Sequence, residues 1–286
     1  MSASLTPARV LLARLLGRHR RGIAFAYGLL ALETLLDLLR PAAWGLSIDA
    51  LLAGQPAGLG WAVAQHLAHL AAGTARRAVD TRVFTRAYEG LATGVVLDQR
   101  AAGRSTSEVA ARGALAREFV DFLERDLPDA LRGVGFLLGG CIALGWYEPA
   151  LVWLVAALAV PVALLNRRYA RVSARLNRGL NDRLEREVAV VEVARPRAVA
   201  AHFGALSRWR VRLSDAESLN FAATEAFILA IVVVALAVAA ADTSVTAGAL
   251  FAVLSYLWLV VYGFDQVPRL VEQWAKLRDV ARRLAA

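Results

Sequence analysis

Residues 133–166 read GVGFLLGGCIALGWYEPALVWLVAALAVPVALLN and contain no Lys or Arg, although Arg132 precedes them and Arg167 follows them. The stretch is apolar on both sides of a short turn, WYEP at 146–149. Two apolar runs of about 20 residues around such a turn, with arginine at the outer ends, are typical of a helical hairpin that crosses a membrane and returns. The pattern indicates an integral membrane protein.

Two further windows avoid positive charge in the same way. No Lys or Arg lies between Arg212 and Arg269, and Arg40 is the only one from residue 22 to residue 75. Because Lys and Arg remain on the cytoplasmic side, three hairpins predict six spans in the cytoplasmic (inner) membrane with both termini inside. The predicted spans cover about 22–52, 60–78, 129–146, 149–166, 221–241 and 247–267.

The composition agrees with a membrane protein. The 286 residues are 58% hydrophobic and 20% charged, with a mean hydropathy of +0.49, which is more apolar than is usual for a soluble domain. The net charge of +9 comes from segments that flank the spans, where lipid accounts for it, so nucleic acid is disfavoured as a partner. A single cysteine, Cys141, excludes a disulfide framework and a cysteine-based metal site.

The predicted architecture is all-α, with an N-terminal segment, residues 1–21, before a six-span domain, residues 22–286. Leucines alternate with arginines in the N-terminal segment, which favours a helix lying on the cytoplasmic membrane face. A disordered basic tail is the alternative. Both readings make the lipid membrane the partner of this segment.

Two long cytoplasmic excursions, about 79–128 and 167–220, are predicted to be helical extensions of the spans. An apolar stripe at every fourth position from Val172 to Val188 predicts one packed helix there. The sequence STSE at 105–108 has the spacing of a capping box, so a helix is expected to begin near it. The tips of the excursions are placed near 98–106 and near 192–198, where Pro196 interrupts the helix.

Three stretches resemble the transmembrane domain of type I ABC exporters, and their order and spacing extend the resemblance over essentially the whole chain. RPAAWGLSIDALLAG (40–54) resembles the end of the first span in that family, and FLERDLPDAL (122–131) resembles the start of the third. Residues 246–284 resemble the sixth span and the run toward the ATPase domain. The resemblance implies the ABC exporter (type IV) transmembrane fold.

The resemblance also implies partners. Two similar membrane subunits, as a homodimer or heterodimer, would exchange their second hairpins and enclose a substrate path. An ATPase would push on the tips of the excursions, and the candidate coupling residues are Arg104, Ser105, Thr106, Arg195, Pro196 and Arg197. The centre of the second tip, Arg-Pro-Arg, departs from the family pattern.

A Walker A loop requires a lysine after its glycines. The sole lysine, Lys276, follows Trp274 and Ala275 on a predicted helix, so the chain is expected not to be an enzyme. The expected motor is a separately encoded ATPase, and ATP and Mg are expected only in that partner. No cofactor is predicted for the chain itself.

Glu33, Asp37 and Arg40 share one face of the first predicted span because they are four and three residues apart. Ionisable groups at membrane depth are costly, and they face a cavity or a partner. They therefore either line a substrate or proton path or form structural contacts, with Asp37 paired to Arg40 and Glu33 bonded to a neighbouring helix. The sequence leaves both readings open.

Two histidines, His66 and His69, lie three residues apart in the second predicted span. Because no further ligands stand nearby, no metal site is predicted, and cavity lining, packing or a proton role remain. Glu225 and Asp265 lie near the inner ends of the last hairpin. They are candidate path residues, with an interfacial role as the alternative.

Three functions compete at this stage. The leading one is the transmembrane subunit of an ABC-type exporter. The second is proton-coupled transport without ATP, with Glu33, Asp37, Glu225 and Asp265 as proton carriers. The third is a membrane scaffold that does not transport. The sequence does not distinguish the substrate or its direction.

Overall fold

The structure, a computed structural model, describes residues 7–193, 195–242, 244–264 and 266. All regular structure in these residues is helical, and none of them lies in a β-strand, so the all-α prediction is confirmed. The α-helices in chain order are α1 (Pro7–Leu52), α2 (Leu59–Ala101), α3 (Thr106–Asp121), α4 (Leu127–Tyr147), α5 (Pro149–Leu184), α6 (Glu187–Val193), α7 (Pro196–Ala241) and α8 (Ala247–Phe264).

The chain divides into two compact units. The first unit contains Met1–Tyr147 and Asp242–Ala286, and therefore α1 to α4 and α8. The second unit, Glu148–Ala241, contains α5 to α7.

A tight turn joins α1 to α2 in the first unit. Gly54 has a φ of +73°, a left-handed conformation that glycine adopts without a steric penalty. The hydroxyl of Ser47 donates to the carbonyl of Gly58 (2.9 Å) and accepts from the backbone N–H of Ala62 (3.1 Å). Because Ser47 is fully buried, these two bonds hold the hairpin closed with its polar group satisfied.

The start of α3 confirms the predicted capping box. Gly103 reverses the chain with a φ of +73°, and α3 begins at Thr106. The side chain of Ser105 accepts from the backbone N–H of Glu108, whose carboxylate accepts from the backbone N–H of Ser105 at 3.0 Å. Two backbone donors at the helix start are satisfied by this exchange.

A π-helical turn at Phe122–Asp126 separates α3 from α4. Pro128 has no N–H to donate, and the N–H of Leu127 bonds the carbonyl of Phe122, five residues earlier. The carbonyl of Leu123 then accepts from the hydroxyl of Tyr27 on α1 at 2.8 Å. The irregular turn therefore provides a backbone acceptor that ties α1 to the start of α4.

The apolar core of the first unit includes the residues around this hydrogen bond. Ile23 of α1, Phe84 of α2 and Phe119 of α3 are buried in one cluster with Val120 and Leu123. Each large side chain buried in this way contributes roughly 1.5–3 kcal/mol relative to exposure. The cluster joins three helices.

Helix α8 closes the first unit against α1 through a contact between glycines. A Cβ at Gly45 would meet the carbonyl oxygen of Gly248 at 2.6 Å, so only glycine permits this approach. The carboxylate of Asp49 accepts from the hydroxyl of Thr246 (2.6 Å) and from the backbone N–H of Gly248 (2.8 Å). Asp49 thereby fixes the start of α8.

The loop before α8 carries its own local structure. The carboxylate of Asp242 accepts from the backbone N–H (2.9 Å) and the hydroxyl (2.7 Å) of Ser244. These two bonds hold the pKa of Asp242 below its ordinary value because they stabilise the ionised form. The contribution of the ionised carboxylate to this turn is therefore fully present above the ordinary pKa of Asp and is lost as the pH falls through the lowered pKa.

The second unit is built on two long helices. Glu148 caps the start of α5. The amide of Asn220 on α7 donates to the side-chain oxygen of Asn166 on α5 at 3.1 Å. Farther along, a Cβ at Gly179 would meet the ring of Trp209 at 2.6 Å, so the indole packs directly on the backbone of α5.

The predicted tip of the second excursion is only partly as expected. Pro196 is the first residue of α7, which confirms that it interrupts the helix. The prediction of one packed helix from Val172 to Val188 is wrong, because α5 ends at Leu184 and α6 starts at Glu187. Val188 lies on α6 and is 68% exposed.

Five helical stretches in the described residues are long and apolar enough to cross a membrane. They contain four of the six predicted spans in full and the sixth, 247–267, as far as residue 264. The second predicted span, 60–78, is not among them, because α2 carries Gln65 and both histidines among its apolar residues. The five stretches are His19–Leu52, Thr106–Tyr147, Pro149–Leu184, Pro196–Ala241 and Ala247–Phe264.

Candidate functional site

A cavity of about 760 Å³ lies in the first unit between α1, α2, α4 and α8. Its polar lining comes from all four helices, with Asp37 and Arg40 on α1, His66 on α2, Arg132 on α4, and Ser255 on α8. The cavity is therefore a product of the packed bundle rather than of one helix.

The charged wall follows from helical spacing on α1. Nη2 of Arg40 lies 2.7 Å from Oδ1 of Asp37, three residues earlier. Nδ1 of His69 on α2 lies 3.4 Å from the same oxygen but makes no hydrogen bond. Asp37 therefore pairs with a cation on its own helix and has an imidazole of the neighbouring helix close by.

A second group of charges stands one turn away on α1. Glu33, only 4% exposed, accepts from Nε of Arg76 on α2. Oε2 of Glu33 also lies 3.2 Å from Nη2 of Arg132 on α4. Nη1 of Arg76 lies 2.7 Å from Oδ2 of Asp80. We call Glu33, Arg76, Asp80 and Arg132 the ion cluster.

Glycine makes room for the ion cluster. A Cβ at Gly73 would lie 2.8 Å from Oε1 of Glu33, so the missing side chain lets the carboxylate reach α2. Removing one partner from such a buried group costs about 3–5 kcal/mol, because it leaves the other charge unpaired. The cluster therefore fixes the relative positions of three helices.

Arg132 belongs both to the ion cluster and to the cavity wall. Nε atoms of Arg132 and Arg40 are buried and have no hydrogen-bond partner. Buried polar atoms in proteins usually have partners. Each of the two guanidinium groups therefore leaves one buried donor unsatisfied within the described residues.

The rest of the lining is apolar and aromatic. Phe136 of α4 and Tyr262 of α8 meet edge to face, with ring centroids 5.6 Å apart. Trp44, Phe251 and Leu259 complete this side. A cavity with a charged wall and an aromatic wall suits a ligand that has both polar and apolar parts.

The structure brings together most of the predicted path residues. Asp37, Arg40 and His66 line the cavity, and His69 contacts Asp37. Glu33 does not line the cavity but contacts Arg132, which does. The two structural contacts considered for α1, an Asp37–Arg40 pair and Glu33 bonded to neighbouring helices, are both present. A role of these residues in a path for substrate or protons stays a prediction.

The other two predicted path residues lie elsewhere. Glu225 is exposed on α7 in the second unit. Asp265 lies outside the described residues. The described residues contain no group of three or more His, Cys, Asp or Glu side chains placed to hold a metal ion.

The predicted coupling residues are all at or next to helix starts. Arg104 and Ser105 precede α3, and Thr106 is its first residue. Arg195 precedes α7, which begins with Pro196 and Arg197. All six side chains are exposed, and their contact with an ATPase stays a prediction.

Sequence reasoning missed the cationic half of the ion cluster. Arg132 served only to mark the edge of a charge-free window, and Arg76 was not among the predicted site residues. The available signal was the buried carboxylate itself, because a charge at that depth requires a partner. The aromatic wall from Phe251 and Tyr262 carried no distinguishing signal within an apolar helix.

Several long apolar helices around a charged cavity define the class of multi-pass membrane proteins. The model of a family described as ABC transporter transmembrane region matches residues 12–248. The chain therefore belongs to that family, and the resemblance to the transmembrane domain of an ABC transporter is confirmed. The match is to the membrane region of a transporter and not to a catalytic domain. A comparison with curated proteins finds no match.

Proposed function

We propose that the chain is the transmembrane subunit of an ABC-type exporter. It pairs with a second membrane subunit, as a homodimer or heterodimer, and the pair encloses a substrate path driven by a nucleotide-binding ATPase partner. The observation that carries the proposal is the cavity of about 760 Å³ between α1, α2, α4 and α8, in a chain of the ABC transporter transmembrane family.

The proposal includes six spans. In addition to the five apolar stretches, residues 60–78 of α2 form the second span in chain order. Helix α2 has 43 residues and is therefore roughly 65 Å long at 1.5 Å per residue. That length is about twice the hydrocarbon thickness of a bilayer, so one helix can cross and extend beyond. The arginine distribution supports an inner-membrane location, cytoplasmic extensions and cytoplasmic termini.

The exposed tips transmit the motion of the ATPase in this proposal. At the first tip, the capping box stabilises the start of α3. The second carries two exposed arginines, Arg195 and Arg197, which suit an acidic groove. Closure of the ATPase displaces both tips and switches the cavity from one membrane face to the other.

Crosslinking tests the coupling directly. Cys141 is the only cysteine, so Cys141→Ser gives a background for single cysteines. Ser105→Cys and Arg197→Cys are expected to crosslink to a nucleotide-binding protein in native membranes. Ser244→Cys, in the loop before α8, is the control and is expected not to do so. No ATP-binding protein at either tip would contradict the proposal.

Proton-coupled transport is the second candidate, and the contact between Asp37 and His69 at 3.4 Å favours it. A carboxylate and an imidazole in contact can pass a proton from one to the other. Transport into proteoliposomes that an uncoupler abolishes and that ignores ATP would support this candidate. Transport by Asp37→Asn at the wild-type rate would exclude Asp37 as the carrier, and no transport in either assay would favour a scaffold.

A further inference from the structure

A second, smaller cavity of about 400 Å³ lies in the first unit where α1 meets α2. Its polar lining is entirely basic and consists of His19, Arg20 and Arg21 of α1 and Arg86 of α2. We call these four residues the basic pocket. None of them belongs to the ion cluster or to the large cavity.

The backbone explains why a pocket exists at this point. Helix α1 departs from helical geometry at His19, with φ −120° and ψ 16°. Immediately afterwards the two helices approach closely, since a Cβ at Gly22 would lie 3.2 Å from Val83. Arg20 and Arg21 directly follow the break, and Arg86 of α2 lines the same pocket, so three exposed guanidinium groups stand together here.

The charge of the basic pocket is not balanced from within. No carboxylate lines it, and none of its arginines forms an ion pair with a carboxylate in the part of the chain that the structure describes. Like charges held close together are unfavourable, and an anion between them relieves the repulsion. Guanidinium groups match phosphate oxygens with two parallel hydrogen bonds.

The position of the pocket identifies the source of the phosphate. In a membrane that α1 crosses from about residue 22, the pocket lies at the level of the lipid headgroups, because the apolar stretch of α1 begins at His19. Phe25, one turn beyond Arg21 on the same helix face, is 58% exposed. A phosphate held by the arginines can therefore continue into an acyl chain that packs along Phe25.

We propose that the basic pocket binds the phosphate of an anionic phospholipid headgroup. Basic pockets between membrane helices near the membrane surface bind such headgroups. The bound lipid fills the break in α1 and ties it to α2. A soluble phosphate ester shares the chemistry of the headgroup but gains nothing from Phe25, so the lipid is the stronger ligand.

Lipid titration of the purified protein, followed by native mass spectrometry, tests the proposal with phosphatidylglycerol and phosphatidylcholine as probes. The variant Arg20→Gln/Arg21→Gln/Arg86→Gln is compared with Arg77→Gln/Arg82→Gln/Arg100→Gln, which removes the same charge from positions of α2 outside the pocket. The pocket variant is expected to bind phosphatidylglycerol about a hundredfold more weakly, at about fivefold per arginine. The control variant is expected to bind as the wild type does.

Each outcome decides the matter. Equal loss in both triple variants, or equal binding of phosphatidylcholine by the wild type, would overturn the proposal in favour of a diffuse basic surface. Displacement of the lipid by equimolar glycerol phosphate would overturn the lipid as the source. If the triple variant does not fold, Arg86→Gln alone is expected to weaken phosphatidylglycerol binding about fivefold, and unchanged binding would contradict the proposal.

Discussion

The apolar helices of the second unit are less buried within the chain than those of the first unit. In the most apolar windows of α5 and α7, 12% and 11% of the residues are buried. The corresponding shares in the first unit are 22% for His19–Leu52, 33% for Thr106–Tyr147 and 39% for Ala247–Phe264. The helices of the second unit therefore leave most of their apolar surface for lipid or for another chain.

The polar contacts between helices also differ between the two units, and those of the first unit are the stronger ones. In the first unit a buried carboxylate, Glu33, is held by two guanidinium groups from α2 and α4. In the second unit α5 and α7 are joined by a neutral amide pair, Asn166 and Asn220. The comparison teaches that the buried ion cluster and the large cavity belong to the first unit, and that the apolar windows of the second unit leave most of their surface uncovered by the chain.

The largest effect is expected from the ion cluster. Glu33→Gln leaves Arg76 and Arg132 without their shared carboxylate, so the free energy of unfolding in detergent is expected to fall by about 3–5 kcal/mol. The matched change in the second unit is Glu225→Gln, at an exposed position, with an effect within about 0.5 kcal/mol. Equal effects would remove the distinction between the units.

The contact of α1 with α8 gives the next effect. Gly248→Ala places a Cβ 2.6 Å from Oδ2 of Asp49, and overpacking of this kind costs roughly 1–3 kcal/mol. Gly28→Ala is the control on α1, because its Cβ meets nothing within 4 Å. The control is expected to be neutral or stabilising by up to about 1 kcal/mol. Thermal unfolding in the same micelles measures both, and a stable Gly248→Ala variant would show that the helices can separate freely.

The first tip is expected to respond to loss of its cap. Ser105→Ala removes the side-chain acceptor for the N–H of Glu108 and is expected to cost about 1 kcal/mol. Hydrogen exchange at the start of α3 should accelerate, while the core around Phe84 should not change. Ser107→Ala keeps the capping box and serves as the control. Unchanged exchange in Ser105→Ala would mean that other contacts hold this tip.

The smallest effect is expected in the second unit. Asn220→Leu removes the amide bond to Asn166, and hydrogen bonds between membrane helices contribute about 0.6 kcal/mol on average. Asn177→Leu is the comparison, because the amide of Asn177 bonds to Ser173 within α5. A loss of several kcal/mol in Asn220→Leu would show that the second unit also depends on a polar tie, and would weaken the contrast.

Local and long-range features of this chain differ in how far the sequence predicts them. The capping box at Ser105 and the break at Pro196 depend on a few neighbouring residues, and both were predicted. The partners of Glu33 are 43 and 99 residues away, and helical spacing carries no information about which helix packs opposite. For that reason the sequence placed Asp37 and Arg40 on one face but did not find Arg132.

The π-helical turn was missed for a related reason. Pro128 indicated only that a regular helix is disturbed near it. Whether the disturbance ends the helix, kinks it or widens one turn depends on a partner for the freed carbonyl of Leu123. That partner is Tyr27, 96 residues earlier.

The central claim is that a water-accessible cavity lies between the membrane helices of the first unit, and cysteine labelling tests it most directly. In the Cys141→Ser background, Ser255→Cys places a thiol in the cavity wall, and Ile142→Cys places one on a 75% exposed position of α4. A hydrophilic thiol reagent is expected to label residue 255 in membranes and to leave residue 142 unlabelled. Protection of residue 255 to the same degree as residue 142 would contradict the account.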